Sequence, residues 1–153
     1  MASKLVSDPR IDPRIKVVLG AFPEAQPVAD AKNREELVAA QNSPEANARF
    51  MAMKPMMDAL DNEQVAPSAG LVTRTETFTA QPDANEIKVQ FIRPEGDAVL
   101  PGVVYLHGGG MASMSAFDGM YRAWGRLIAA EGVAVAMVDF RNALRASSAP
   151  DIA

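Results

Sequence analysis

The sequence predicts an α/β fold: a helical N-terminal segment, two strands of antiparallel type, then a strand–helix–strand unit that begins a mostly parallel sheet. Three observations carry that reading. Seven of the eleven prolines fall before Gly70 and punctuate short helical patterns there. From Leu71 the pattern changes to Thr, Val and aromatic residues with alternation, which favours strand. Two unalternating apolar runs, Val103–Leu106 and Val133–Val138, then flank an amphipathic helical stretch. Strands covered on both faces have this composition, and a strand–helix–strand of this length makes a right-handed crossover.

The helical segment is assigned to residues 1–69 and the sheet region, an incomplete one, to 70–153. Asp8-Pro9-Arg10-Ile11 repeats at once as Asp12-Pro13-Arg14-Ile15. In the second copy Asp12 is the expected N-cap, Pro13 the first helical residue and Gly20 the stop, with Ile15, Val18 and Leu19 on one face. Phe22–Pro27 is a proline-punctuated link. Arg34–Ala40 is helical, and Ser43-Pro44-Glu45 opens a further helix towards Leu60 that Pro55 should kink or divide. Leu71–Ala80 is a strand. In Glu86–Arg93 the alternation of Ile87, Val89 and Phe91 with Lys88 and Gln90 predicts a half-buried strand, antiparallel to its neighbour. Between the two apolar strands, Ser115 and Asp118 are spaced as a capping box. Phe117, Tyr121, Trp124, Leu127 and Ile128 form the apolar stripe, and Gly132 ends the helix. If Val133–Val138 ends the sheet, its unpaired apolar edge predicts that the 153 residues alone do not form a stable monomer.

Composition narrows the function. With 48% apolar and 22% charged residues the chain is of ordinary globular type, and with no cysteine it has neither a thiol nucleophile nor a Cys-based zinc site. A net charge of -4 without a basic run leaves nucleic acid no electrostatic foothold. The N-terminus lacks the apolar core of a signal peptide, and no run reaches membrane-spanning length, so a cytoplasmic protein is expected. Carboxylates are scattered, and no cofactor or metal is expected.

The chemistry concentrates in one loop, Tyr105-Leu106-His107-Gly108-Gly109-Gly110-Met111, which closes the first buried strand. Open α/β sheets bind ligands beyond the carboxyl ends of their strands. Consecutive glycines let backbone N–H groups converge on an oxyanion or a phosphate, although glycines alone fit a tight turn equally well. A phosphate loop is excluded in detail, because neither Gly-Lys-Ser/Thr nor G-x-G-x-x-G is present. His107 is the single histidine, so it is either a triad base or a support for the loop. The methionines Met51, Met53, Met56 and Met57 fit a pliable acyl pocket or ordinary helix packing. Arg141 with Asp139 fits an ion pair beneath the loop or an exposed pair worth little.

His107-Gly108-Gly109-Gly110 resembles the HGGG motif of the hormone-sensitive-lipase-like esterases, an α/β-hydrolase family, and within it the brefeldin A esterase type. Asp8–Arg14 is similar to the opening of bacterial members. Val138-Asp139-Phe140-Arg141-Asn142-Ala143 is similar to the family's Asp-Tyr-Arg segment, with Phe140 in place of tyrosine. The resemblance runs from about residue 8 to the end and is specific over residues 103–143. It implies carboxylic ester hydrolysis by a serine, through an acyl-enzyme, on small or medium acyl esters. The implied oxyanion donors are the backbone N–H groups of Gly108 and Gly109, with Gly110 shaping the turn. His107, Asp139 and Arg141 are the implied loop supports.

The G-x-S-x-G nucleophile elbow occurs around none of the eight serines. The chain therefore reads as the N-terminal portion of an esterase whose nucleophile, acid and base lie elsewhere. Its expected partners are the ester, the remaining half as another chain or segment, and a second copy in a homo-oligomer. The competing readings are a non-catalytic α/β binding module whose glycine loop holds an anion, and a degenerate hydrolase fragment acting as a scaffold.

Overall fold

The computed structural model describes residues 4–20 and 29–144, excepting the side chains of Lys4, Leu5, Val18 and Leu19. The chain divides into two compact units, Met1–Ala31 and Lys32–Ala153.

The first unit holds α1 (Lys4–Ser7) and α2 (Pro13–Gly20). The two Asp-Pro-Arg copies build the same device twice. Arg10 places its backbone N–H 2.9 Å and its guanidinium 2.6 Å from the Asp8 carboxylate. Arg14 does so on Asp12 at 2.8 and 2.9 Å. In the second copy the Asp12 carbonyl also accepts from the Lys16 N–H at 3.1 Å, so Asp12 opens α2 as its spacing predicts. Ile15 is half-exposed. The rest of that expected face and the Phe22–Pro27 link lie outside the described residues.

The second unit begins with α3 (Arg34–Gln41) and α4 (Pro44–Asp58), capped by Asn33 and Ser43. α4 runs unbroken through Pro55, so of the kink or division expected there the division does not occur. Proline forfeits its own N–H bond, but the ladder resumes when the Ala59 N–H reaches the Pro55 carbonyl at 2.9 Å. The end of α4 is also anchored from outside, because Asp58 Oδ1 accepts the Gly119 N–H at 2.9 Å.

The sheet follows: β1 (Leu71–Thr79), β2 (Glu86–Pro94), β3 (Gly102–Leu106), α5 (Gly119–Ala130) and β4 (Ala134–Asp139). Its order is β1-β2-β4-β3, with β3 and β4 parallel and the other pairs antiparallel. The order corrects three expectations. β2 is central rather than half-buried, and Val89 and Gln90, on opposite faces, are both buried. β4 is paired on both sides, so Val133–Val138 leaves no free edge. The edges are β1 and β3, and on β3 Val104 and Leu106 are 72% and 63% exposed instead of covered. One face of the sheet packs on α5 through Ile92, Val135 and Met137, whereas the other carries Val104, Leu106 and Phe78 in the open. A polypeptide of residues 1–153 expressed alone is thus expected to self-associate through β3. Light scattering behind size exclusion checks this, and a monodisperse 16.3 kDa species would contradict it.

α5 also departs from its sequence reading. Asp118, not Ser115, is the residue before the helix. The Ser115 N–H donates to Asp118 Oδ2 at 2.9 Å, closing a turn ahead of α5 instead of capping it. Trp124 is 50% exposed and Leu127 37% exposed, so two of the five residues of the predicted stripe face outward. The buried line is Tyr121, Gly125 and Ala129. The reason is proximity: a Cβ on Gly125 would lie 2.8 Å from Ile92 Cδ1 and 2.9 Å from Met137 Sδ. Small residues let the helix seat against the sheet. Gly132 ends it as predicted, at φ +83°. Among the described residues, no helix is long and apolar enough to cross a membrane.

Candidate active site

The parallel pairing of β3 with β4 sets Leu106 opposite Val138, so the strands deliver His107 and Asp139 to one end of the sheet. β4 alternates, and Val135, Met137 and Asp139 all point to the buried face. Asp139 Oδ1 accepts the Ser115 hydroxyl at 2.7 Å and the Ala116 N–H at 2.9 Å. Asp118 in turn lies 3.3 Å from Lys54 Nζ, which also pairs with Asp58 at 3.0 Å. Burial works against the Asp58 carboxylate, yet the Gly119 N–H and Lys54 hold its pKa below the usual range. A polar layer, buried at Ser115, Asp118 and Asp139 and partly exposed at Lys54 and Asp58, therefore ties α4, the turn before α5 and the end of β4 together.

His107 is buried above that layer, its ring stacked on Phe140 at 4.2 Å and 7°. Its Nδ1 lies 2.7 Å from the Gly108 carbonyl oxygen, which can only accept, so Nδ1 carries a proton. Nε2 lies 3.8 Å from Asp139 Oδ1 and has no hydrogen-bond partner among the described residues. The Nδ1 contact orients more than one atom. In a planar trans peptide, C=O of Gly108 and N–H of Gly109 point in opposite directions. Holding that carbonyl against the imidazole therefore aims the Gly109 N–H away from the protein's buried layer.

The loop beyond enters left-handed backbone at four positions. Gly109 and Gly110 have φ of +109° and +63°, and Met111 and Met114 are also left-handed at +57° and +76°. A Cβ at Gly109 would sit 2.2 Å from the Ser113 carbonyl oxygen. That close return is fixed by the Gly109 carbonyl, which accepts from the Ala112 and Ser113 N–H groups at 3.0 and 3.3 Å. The segment after β4 holds the far side, as Asn142 Nδ2 donates to the Met114 carbonyl and the Ala143 N–H to that of Met111. Neither the Gly109 nor the Gly110 N–H has an internal partner among the described residues.

Gly108 differs from its neighbours: it lies against the Tyr121 hydroxyl, where a Cβ would stand 2.6 Å from the oxygen. Gly108 and Gly109 are the donor pair expected from the sequence, and Gly108 is the one of the three glycines seated on Tyr121. Burial, and secondarily Tyr105, push the Tyr121 pKa up. The expectation for Arg141 is corrected. That residue pairs with Asp83 at 2.6 Å on the surface and has no place under the loop, because it lies beyond the end of β4 while Asp139 is still on its inward face. Of the four methionines, Met57 is buried, while Met51, Met53 and Met56 are about half exposed. Sequence reading missed Tyr121, Ser115 and Asp118 as parts of this assembly. A hydroxyl on an otherwise apolar stripe was the available signal at Tyr121.

The arrangement is a strand-end loop with unpartnered N–H groups on preorganised backbone, which can hold a negative oxygen without rearranging. No family model and no curated protein matches the chain. Solved structures do. The chain is 48% identical to the esterase Est22, with a TM-score of 0.88, over 100% of this chain and 44% of that one. Brefeldin A esterase, described as a bacterial homologue of human hormone-sensitive lipase, is 33% identical with a TM-score of 0.72, over 94% of this chain and 40% of its own. A bacterial heroin esterase is 25% identical, with a TM-score of 0.62, over 88% and 37%. The chain spans less than half the length of each.

Proposed function

From the membership of this chain in the hormone-sensitive-lipase-like esterase family of α/β-hydrolases, we propose that it forms the oxyanion-hole portion of a carboxylic ester hydrolase. The nucleophilic serine and its acid and base belong, on this reading, to the part of the relatives' length that these residues do not span. A serine attacks the ester carbonyl, the carbonyl oxygen gathers charge, and the acyl-enzyme is later released by water. The chain's own contribution is to hold that oxygen. The N–H groups of Gly109 and Gly110 are the donors, His107 sets the Gly108–Gly109 peptide plane, and Asp139 supports the turn through Ser115. One observation carries the assignment: the Gly109 and Gly110 N–H groups, without hydrogen-bond partners among the described residues, stand where strand β3 ends, on a loop held by His107, Asn142, Ala143 and its own turn bonds. The ester is of a small or medium acid, with the α4 methionines along its acyl side.

The test is turnover by the full-length protein. It should hydrolyse p-nitrophenyl acetate with saturation and lose that activity on stoichiometric reaction with an alkyl phosphonate. An anion-holding module would show neither, and that result would remove the enzymatic reading.

A further inference from the structure

Left-handed φ explains glycine at positions 109 and 110. It does not explain Gly108, whose φ is ordinary and whose surroundings are solvent on one side. What excludes a side chain there is a single atom. A Cβ on Gly108 would lie 2.6 Å from the Tyr121 hydroxyl oxygen, while the next nearest atoms, ring carbons of the same tyrosine, are at 3.6 and 4.0 Å. Tyr121 is buried, its ring tilted at 50° to that of His107 with 5.8 Å between centroids. It also reaches Met114 Sδ at 3.5 Å, so it touches the loop at both its departure and its return.

We infer that the Tyr121 hydroxyl is a positioning group for the oxyanion loop, locking the Gly108 residue from below while His107 locks it from the side. The inference rests on the oxyanion reading and adds to it a residue on α5 that never meets substrate. The hydroxyl oxygen stands against Gly108, where even a Cβ would not fit, and the imidazole donates to the Gly108 carbonyl. With the residue seated on the hydroxyl and its carbonyl held, the Gly108–Gly109 peptide plane has a fixed direction, and the Gly109 N–H inherits its aim. The hydroxyl's own proton goes to the Met114 sulfur, a weak acceptor, which ties the same oxygen to the returning end of the loop.

The test uses the full-length protein and three variants: Tyr121→Phe, Gly108→Ala and the two together. Tyr121→Phe keeps the ring and removes one oxygen. It should lower kcat roughly five- to tenfold, as loss of one neutral hydrogen bond does, with KM within about twofold. A boronic acid, whose tetrahedral adduct carries the oxyanion, should lose affinity by the same factor, while the product acid should not. A merely structural tyrosine would not separate those two ligands. Gly108→Ala should be severely impaired and melt early, and adding Tyr121→Phe should restore part of both losses, since the 2.6 Å contact then disappears. Unchanged kcat and boronate affinity in Tyr121→Phe, or a double variant no better than Gly108→Ala, would overturn the inference while leaving the esterase reading standing. Absence of turnover by the wild type would overturn both.

Discussion

Gly109→Ala in the full-length protein is expected to lower kcat and kcat/KM together by roughly a hundredfold, the scale at which one misplaced oxyanion donor registers. KM should change by no more than about twofold, because an interaction that forms only as charge develops leaves ground-state binding alone. Two features of the loop set the size. At φ +109° an L side chain is strained, and its Cβ would meet the Ser113 carbonyl oxygen at 2.2 Å. That oxygen is backbone on a turn tied to Asn142 and Ala143 through its neighbours, so it cannot swing aside as a side chain would. The loop must move, and the Gly109 N–H moves with it. Steady-state kinetics on one short-chain ester are the check. Wild-type kcat, or a rise in KM alone, would mean that the three glycines make a turn and nothing more.

His107→Ala is the second large effect, and it should differ in kind. The ring is buried, stacks on Phe140 and donates to Gly108, so its removal leaves a cavity and an unpaired carbonyl. A loss of about 2–4 kcal/mol in stability is expected from those two causes combined. Turnover should fall as well, since the Gly108–Gly109 plane is no longer pinned, but the protein should retain measurable activity. A triad base would behave otherwise. Its removal would abolish acylation while leaving thermal stability near that of the wild type. Melting temperature and kcat measured on the same preparation separate the two roles.

Much of this was legible in the residues. The helix start at Ser43, the change of pattern at Gly70 and the β3–α5–β4 crossover follow local rules of spacing and composition that the chain obeys. The His-Gly-Gly-Gly loop was legible too, because glycine triplets after a buried strand have few uses. What could not be read was long-range. β2 looks half-buried by alternation, yet sheet order places it between β1 and β4, and no local pattern encodes sheet order. The stripe on α5 counted Trp124 and Leu127 as core because they are large, whereas a close helix–sheet approach selects the small Gly125 and Ala129. Arg141 and Asp139, two residues apart, suggested a pair, but the end of β4 sends them to different partners. What stands behind a glycine run was equally out of reach, because Tyr121, on which Gly108 is seated, comes from another element.

The most direct measurement is a crystal structure of the full-length protein carrying a covalent alkyl phosphonate, whose charged oxygen takes the place of the oxyanion. The account predicts that oxygen within about 2.7–3.1 Å of both the Gly109 and Gly110 nitrogens, as oxyanion holes require, with Gly108 still seated on the Tyr121 hydroxyl. An adduct oxygen held by other groups, with the glycine loop facing solvent, would contradict it.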